Sequence, residues 1–246
     1  HGQQNHGGVQ MKLAIMQPYF FPYIGYFSLM EYADEFILFD TAQYDRKGWM
    51  NRNRVLKPTD GWQYIRAGVV KPAFRATIKD VQVAQDDWQH VLFRQLEHYK
   101  TAPYYAQAIA CIEAGVKKPA TTLTHLNKQT LEAVRDYLDI HCPIRIFSEM
   151  GLELGPVEHA GQWALRITEA VGGGEYVNPP GAAREIFDPQ DFNEAGIKLV
   201  ILENRLPAYD QHRPSFENGL SIIDLMMFCA KDEIKAMLNE FKTEEA

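Results

Sequence analysis

Short apolar runs alternate with amphipathic stretches along the chain, a pattern typical of α/β proteins. Residues 11–16 are predicted to form a buried strand that ends before Pro18, because proline cannot donate to a strand ladder. A helix is predicted over residues 22–33 and a second buried strand over residues 35–40. Two apolar strands joined by a helix form a βαβ unit, so the chain is predicted to open with the seed of a parallel sheet.

The rest of the chain extends this pattern. Residues 51–56 and 62–70 are predicted to form a pair of strands, and three helical patterns within residues 88–138 predict a helical insertion at about 86–140. The predicted fold is a single α/β domain over residues 11–246, with a parallel-sheet core and helices on both faces. The remaining elements are expected to be strands at 144–147, 176–177 and 197–202, the last of the strands, and helices at 160–171, 221–228 and 231–241.

Composition narrows the class of protein. Hydrophobic residues make up 46% and charged residues 23% of the 246 residues, the balance of an ordinary folded domain. A formal net charge of -7 argues against a nucleic-acid partner, because a general nucleic-acid binder needs a clustered basic surface. The longest apolar run, residues 220–230, is too short to span a bilayer, so no membrane partner is expected.

The cysteines and the first residues bear on compartment and on the start of the domain. Cys111, Cys142 and Cys229 lie among apolar neighbours, which favours free thiols in a reducing, cytoplasmic compartment. We expect Met11 to be the native start and residues 1–10 to be a remnant of cloning, which is left out of the fold prediction.

The junction between the first strand and the first helix is a candidate binding site. In open α/β sheets ligands bind beyond the carboxyl ends of the strands, where a helix N-terminus offers free N–H groups to an anion. Gly25 inside the helix costs about 1 kcal/mol relative to alanine, which suggests close approach of a ligand or of another backbone. The alternative is a tight aromatic packing corner. The candidate binding residues are Gln17, Tyr19, Tyr23 and Tyr26.

A polar and aromatic segment follows the second strand. Asp40 ends that strand and is therefore expected to point toward the same crevice. If residues 51–54 are extended, the asparagines face one way and the arginines the other, which suits hydrogen bonding to sugar hydroxyls or phosphates. A hairpin whose charges lie in water is the alternative, but it does not explain the interleaved aromatic rings. The candidate binding residues are Gln43, Arg46, Lys47, Trp49, Asn51, Arg52 and Asn53.

Two later segments are weaker candidates. Asn178 and Gly181 lie at a strand end and a glycine turn, where a plain turn is the favoured explanation. His212 lies in a loop near the expected site. Asp224 on an otherwise apolar helix needs a buried partner, so it either orients an arginine of the site or holds the fold.

Several catalytic motifs are absent from the sequence. It contains no HExxH, no paired CxxC and no GxxxxGK[ST], so metal catalysis and a P-loop are not supported. No GxSxG occurs, and therefore no motif names a nucleophile. No cofactor is expected beyond a nucleotide or an activated acyl donor.

Four motifs taken together resemble the WbqC-like family. Members of this family are associated with bacterial O-antigen and other surface-polysaccharide gene clusters. The resemblance covers nearly everything from Met11 onward and implies a step on an activated, amino-bearing sugar. The motifs are QPYFFPYIGYF at 17–27, DRKGWMNRNR at 45–54, APYY at 102–105 and LSIIDL at 220–225.

A weaker resemblance concerns residues 22–26. PYIGY after the first strand is similar to the PHxGH signature of the nucleotidylyltransferase superfamily, whose histidines contact nucleotide phosphates at a helix N-terminus. Tyr23 and Tyr26 stand in place of both histidines, and a tyrosine hydroxyl can hydrogen-bond a phosphate but carries no positive charge. The likeness therefore implies the architecture rather than adenylyl transfer.

The resemblance to the WbqC-like family, together with the polar and aromatic crevice, implies a transferase or ligase that attaches an acyl or aminoacyl group to a nucleotide-linked amino sugar in O-antigen or lipopolysaccharide biosynthesis. Asp40 or His212 is the predicted general base. Two alternatives stay open: a non-catalytic sugar-nucleotide-binding or assembly protein, and a nucleotidylyltransferase-like enzyme. The binding roles are predicted to fall to residues 17–26, Arg46 and Lys47 for the phosphates, and to Asp40, Asn51 and Asn53 for hydroxyl or amino groups.

Overall fold

The computed structural model describes residues 10–246, except for the side chains of residues 182 and 183. The expected cloning remnant, apart from Gln10, lies outside the described residues. The strands of the described part are β1 (Lys12–Met16), β2 (Glu35–Leu38), β3 (Arg52–Leu56), β4 (Trp62–Arg66), β5 (Ile144–Ile146), β6 (Glu175–Asn178), β7 (Lys198–Asn204) and β8 (Phe241–Glu245).

In the described part of the chain, short 3-10 turns lie at Ile78–Asp80, Glu97–Thr101 and Phe147–Glu149, and helices cover the strands on both sides. Within residues 10–246, none of them combines the length and the apolar composition needed to cross a bilayer. They are α1 (Ile24–Tyr32), α2 (Trp88–Leu96), α3 (Tyr105–Val116), α4 (Leu123–Tyr137), α5 (Gln162–Ala170), α6 (Ala182–Ile186), α7 (Pro189–Glu194), α8 (Ile222–Phe228) and α9 (Lys231–Leu238).

Six of the strands form one sheet in the order β5-β2-β1-β6-β7-β8, and β3 pairs with β4 in a separate hairpin. All neighbours in the large sheet are parallel except β8, which runs antiparallel to β7. The predicted α/β fold with a mostly parallel sheet is confirmed. The chain builds outward from β1 to β2 and β5 and then returns to β6 on the other side of β1. The strand order therefore reverses between β1 and β6, which is where open α/β sheets bind ligands.

The apolar strands are buried on both faces, which explains why they read as continuous hydrophobic runs. Leu13 and Ile37 face a core formed with α5 and α7, whereas Ala14 and Phe36 face the larger core that contains α1, α8 and α9. Because side chains alternate along a strand, one uninterrupted apolar run supplies both cores.

The structure differs from the predicted elements at both ends of the chain. Helix α1 begins at Ile24 rather than at Pro22, because its N-cap Tyr23 is still extended, with φ of -68° and ψ of 168°. The last helix ends at Leu238, so the predicted helical extent to residue 241 is wrong. Residues 241–245 instead pair with β7 as an edge strand. Its side chains are mostly exposed, so the segment lacks the apolar run that would predict a strand.

Candidate functional site

The carboxyl ends of β1 and β6 border a crevice with two compartments. Met16 and Tyr19 line both and form the wall between them. We call the compartment of about 490 Å³ beside α5 the aromatic compartment. The compartment of about 400 Å³ beside α1 and the hairpin is the tyrosine compartment. Both sizes fall in the range of small-molecule sites.

The loop between β1 and α1, residues 17–22, shapes the wall of the crevice. Phe21 is fully buried with its φ at 41°, a conformation that costs roughly 1–2 kcal/mol for a residue other than glycine. Side-chain donors from three other parts of the chain, and one from α1 itself, fix this loop through its carbonyl groups. They are Tyr26 to Gln17, Asn127 to Pro18, Asn53 to Phe20 and Ser221 to Phe21.

Arg54 is the one charged side chain among the described residues that line the tyrosine compartment. Its guanidinium carbon lies 5.4 Å from the ring centre of Trp49 and 5.1 Å from that of Trp62. Nη2 donates to the carbonyl of Gly219 at 3.1 Å, whereas Nε is buried and has no partner among residues 10–246. The guanidinium is therefore held in place with hydrogen-bonding capacity to spare.

The tyrosines of this compartment divide into one that is structural and two that are available. Tyr26 is fully buried, stacks on Tyr19 at 5.3 Å and donates its hydroxyl to Gln17. Tyr19 and Tyr23 have hydroxyls without a hydrogen-bond partner in the described part of the chain. Burial raises the pKa of both phenols, so they remain neutral hydrogen-bond donors.

The aromatic compartment has walls of a different kind. Phe39 and Trp163 stand on one side of it, and Tyr176 and Phe187 form a second pair of rings. None of the described residues that line it carries a charge. Its polar groups include the carboxamides of Gln17, which directly follows β1, and of Asn178, the last residue of β6.

The hairpin shows the predicted alternation of asparagines and arginines. Asn51 and Asn53 are buried, whereas Arg52 and Arg54 lie on the other face. The amide of Asn51 accepts from Tyr44 at 3.0 Å and donates to a backbone carbonyl, so both asparagines hold neighbouring segments in place.

Seven of the fifteen predicted site residues line the crevice and eight lie elsewhere. Asp40 is buried and accepts two hydrogen bonds from Ser148, at 3.0 and 2.6 Å. His212 is exposed, with its ring 5.1 Å from Phe228. The functional roles of all fifteen stay predictions. The crevice residues are Gln17, Tyr19, Tyr23, Tyr26, Trp49, Asn53 and Asn178. The others are Asp40, His212, Gln43, Arg46, Lys47, Asn51, Arg52 and Gly181.

Sequence reasoning placed Arg54 in the polar segment without naming it as a binding residue, and it missed most of the aromatic compartment. The position of Arg54 next to Asn53, in the same motif as the predicted residues, indicates a place at the site. Phe39 directly follows β2, so its strand-end position also pointed to the crevice. Trp163 and Phe187 carry no local signal, since only the packing of α5 and α6 brings them to this edge of the sheet.

Within residues 10–246, no group of three or more histidine, cysteine or carboxylate side chains is arranged to hold a metal ion. Burial raises the pKa of Cys111, Cys142 and Cys229 to about 12 each, so their thiols are protonated at neutral pH.

A model of the WbqC-like protein family matches residues 17–236. The chain belongs to this family. The uncharacterized protein Rv1507c of Mycobacterium tuberculosis is 31% identical to it over 219 residues, which cover 87% of this chain and 92% of that protein. No solved structure matches the chain.

Three of the four motifs that carry the resemblance to the WbqC-like family meet around the crevice. Residues 17–27 form the loop and the first turn of α1, and the motif at 45–54 supplies Trp49, Asn53 and Arg54. Ser221, from the motif at 220–225, is the N-cap of α8 and also holds the loop through Phe21. These motifs therefore build one structure although they are far apart in sequence.

Asp224 in the same motif holds the fold. Its carboxylate accepts hydrogen bonds from Tyr99 at 2.6 Å, Tyr209 at 2.6 Å and Gln211 at 2.9 Å. These donors come from the turn after α2 and from the loop that precedes α8. No arginine bonds Asp224 within the described residues, so of the two alternatives the structural one is observed.

Proposed function

We propose that the crevice binds a nucleotide-linked amino sugar and that the protein transfers an acyl or aminoacyl group to it. The observation that carries this proposal is the pair of compartments with different chemistry, which meet at Tyr19 on the switch point of the sheet. A nucleotide sugar likewise joins a planar base, charged phosphates and a hydroxyl-rich ring. The association of the WbqC-like family with surface-polysaccharide clusters supports a sugar substrate.

The phosphates would lie in the tyrosine compartment. Arg54 supplies a fixed guanidinium, and planar guanidinium groups bind phosphate oxygens through two parallel hydrogen bonds. The free hydroxyls of Tyr19 and Tyr23 would add neutral donors. Arg46 and Lys47 are exposed on the adjoining loop and would act on the ligand from outside the crevice.

The proposed reaction joins an amine to an acyl carbonyl. The amino nitrogen attacks the carbonyl carbon, the leaving group departs with its electron pair, and the nitrogen loses a proton to a base. No carboxylate or imidazole lines either compartment in the described structure, and Asp40 and His212 remain the predicted bases. A residue that acts as the base would change the pH dependence of turnover when it is replaced, which D40N and H212Q would measure.

Incubation of the pure protein with dTDP- and UDP-amino sugars and activated acyl donors tests the proposal by mass spectrometry of the sugar nucleotides. We expect an acylated product from the wild type and from R94Q, and at least a tenfold loss with R54Q. Arg94 is a matched control because it is exposed on α2, away from the crevice. Intact substrates with no new product across the panel would contradict transfer.

A non-catalytic sugar-nucleotide-binding protein is the second candidate. The absence of carboxylate, imidazole and thiol groups from the described crevice walls favours it. It predicts that dTDP-sugars raise the melting temperature of the wild type without any turnover. Release of pyrophosphate from a nucleoside triphosphate would instead support the nucleotidylyltransferase-like alternative.

A further inference from the structure

Two pairs of aromatic rings line the aromatic compartment. The ring centres of Phe39 and Trp163 are 5.7 Å apart, and those of Tyr176 and Phe187 are 5.4 Å apart. Phe147 packs on the first pair, at 5.4 Å from Phe39, and supports it away from the cavity. A cavity between fixed aromatic rings suits a flat ligand that stacks.

The lack of charged side chains in the aromatic compartment excludes charged groups from the ligands that it can bind. Because no charged residue is among its described lining, a phosphate, a carboxylate or an ammonium group would enter without a counter-charge. The part of a ligand that binds here is therefore neutral. The charged part of the ligand would bind in the tyrosine compartment, on the other side of Tyr19, where Arg54 lies.

Two carboxamides distinguish a polar flat ligand from a hydrocarbon chain. The Nδ2 group of Asn178 donates to the hydroxyl of Tyr176, which leaves Oδ1 as a free acceptor. The side chain of Gln17 has no hydrogen-bond partner among residues 10–246, so it offers both a donor and an acceptor. An acyl chain would leave these groups unpaired, whereas the edge of a nucleobase presents the complementary donors and acceptors.

We infer that the aromatic compartment is a nucleobase subsite, in which the rings stack on the base and the amides of Gln17 and Asn178 read its edge. The identity of the whole ligand rests on the proposed function, but the chemistry of this subsite does not. The phosphates then extend past Tyr19 to Arg54, which sets the direction of the bound nucleotide.

Free nucleosides test the subsite without phosphate. Uridine, thymidine and adenosine are titrated into the full chain, followed by calorimetry and by saturation-transfer NMR of the base protons. We expect at least one nucleoside to bind the wild type, and W163A and N178A to lower its affinity about tenfold each. R54Q should leave nucleoside affinity unchanged while lowering the affinity for dTDP or UDP. Melting temperatures report whether each variant is folded.

The outcomes separate the subsite from the proposed function. Nucleoside binding that depends on Trp163, without any sugar product, supports the subsite and contradicts transfer. If no nucleoside binds, or if W163A and N178A bind as the wild type does, the subsite is wrong. Binding of hexanamide in place of nucleosides would also overturn it and assign the compartment to an acyl group.

Discussion

The ring of Tyr23 lies directly against Gly25, and a β-carbon at Gly25 would overlap that ring. This contact explains a glycine inside α1, where alanine is about 1 kcal/mol more favourable. The close approach suggested by the sequence is real, but it comes from a side chain two residues earlier. Gly25 therefore positions a tyrosine that lines the crevice.

Replacing Gly25 with alanine should displace Tyr23 and spare the fold. We expect the free energy of unfolding to change by less than about 1 kcal/mol, because the gain in helix propensity offsets the lost packing of the ring. The affinity for dTDP or UDP should fall to that of Y23A. The double variant G25A/Y23A should bind no more weakly than either single variant, as expected for coupled residues. Wild-type affinity in G25A would show that Tyr23 does not contact the ligand.

Ser221 and Ser28 form a matched pair for testing the loop. Both are fully buried, and each donates to a backbone carbonyl, Ser221 to Phe21 at 2.7 Å and Ser28 to Leu238 at 2.8 Å. Alanine at either position should lower the free energy of unfolding by about 1–3 kcal/mol, because a buried acceptor loses its donor. Only S221A should also weaken nucleotide binding, since only Ser221 holds the crevice loop. Equal binding by both variants would refute this role.

Asp40 and Ser148 should be energetically coupled. D40N places an amide where Ser148 donates twice, so it should destabilise the protein by about 1–3 kcal/mol. S148A removes the hydroxyl donor from this buried carboxylate, so it should also destabilise the protein, and D40N/S148A should lose less than the sum of the two single losses. Urea denaturation of the four proteins measures this coupling. Additive effects would mean that the hydrogen bond from the Ser148 hydroxyl to Asp40 contributes nothing measurable.

The buried carboxyl group of Asp224 should make stability depend on pH. Burial raises its pKa, although hydrogen bonds from Tyr209, Tyr99 and Gln211 act in the opposite direction. The folded protein therefore holds this proton more tightly than the unfolded chain, whose aspartate pKa is about 3.9. Stability is lost as the pH rises from that value through the higher folded pKa.

The side chain at position 224 does not titrate in D224N. A comparison with the wild type therefore isolates the contribution of the Asp224 carboxyl group to the pH dependence of stability. We expect the unfolding free energy of the wild type, minus that of D224N, to decrease as the pH rises from about 4 toward neutrality. Urea denaturation at a series of pH values measures the difference. A difference that increases with pH would show that hydrogen bonding outweighs burial at Asp224.

Local patterns in the sequence predict the buried strands of the sheet and one wall of the site. The buried strands β1, β2 and β7 are apolar runs of the right length, and residues 17–26 follow β1 directly, so their place at the strand end needed no tertiary information. The exposed strand β8 has no apolar pattern, because its stability comes from pairing with β7 rather than from burial of its own side chains.

The sequence by itself determined the α/β class, the family, and the loop and hairpin that border the crevice, because these depend on periodicity and on motifs of neighbouring residues. Tertiary structure alone decided that β6 lies beside β1, that Trp163 and Phe187 join Phe39, and that Asp40 bonds Ser148. The order of strands and the meeting of distant side chains follow from packing over the whole chain. No short stretch of sequence encodes that packing.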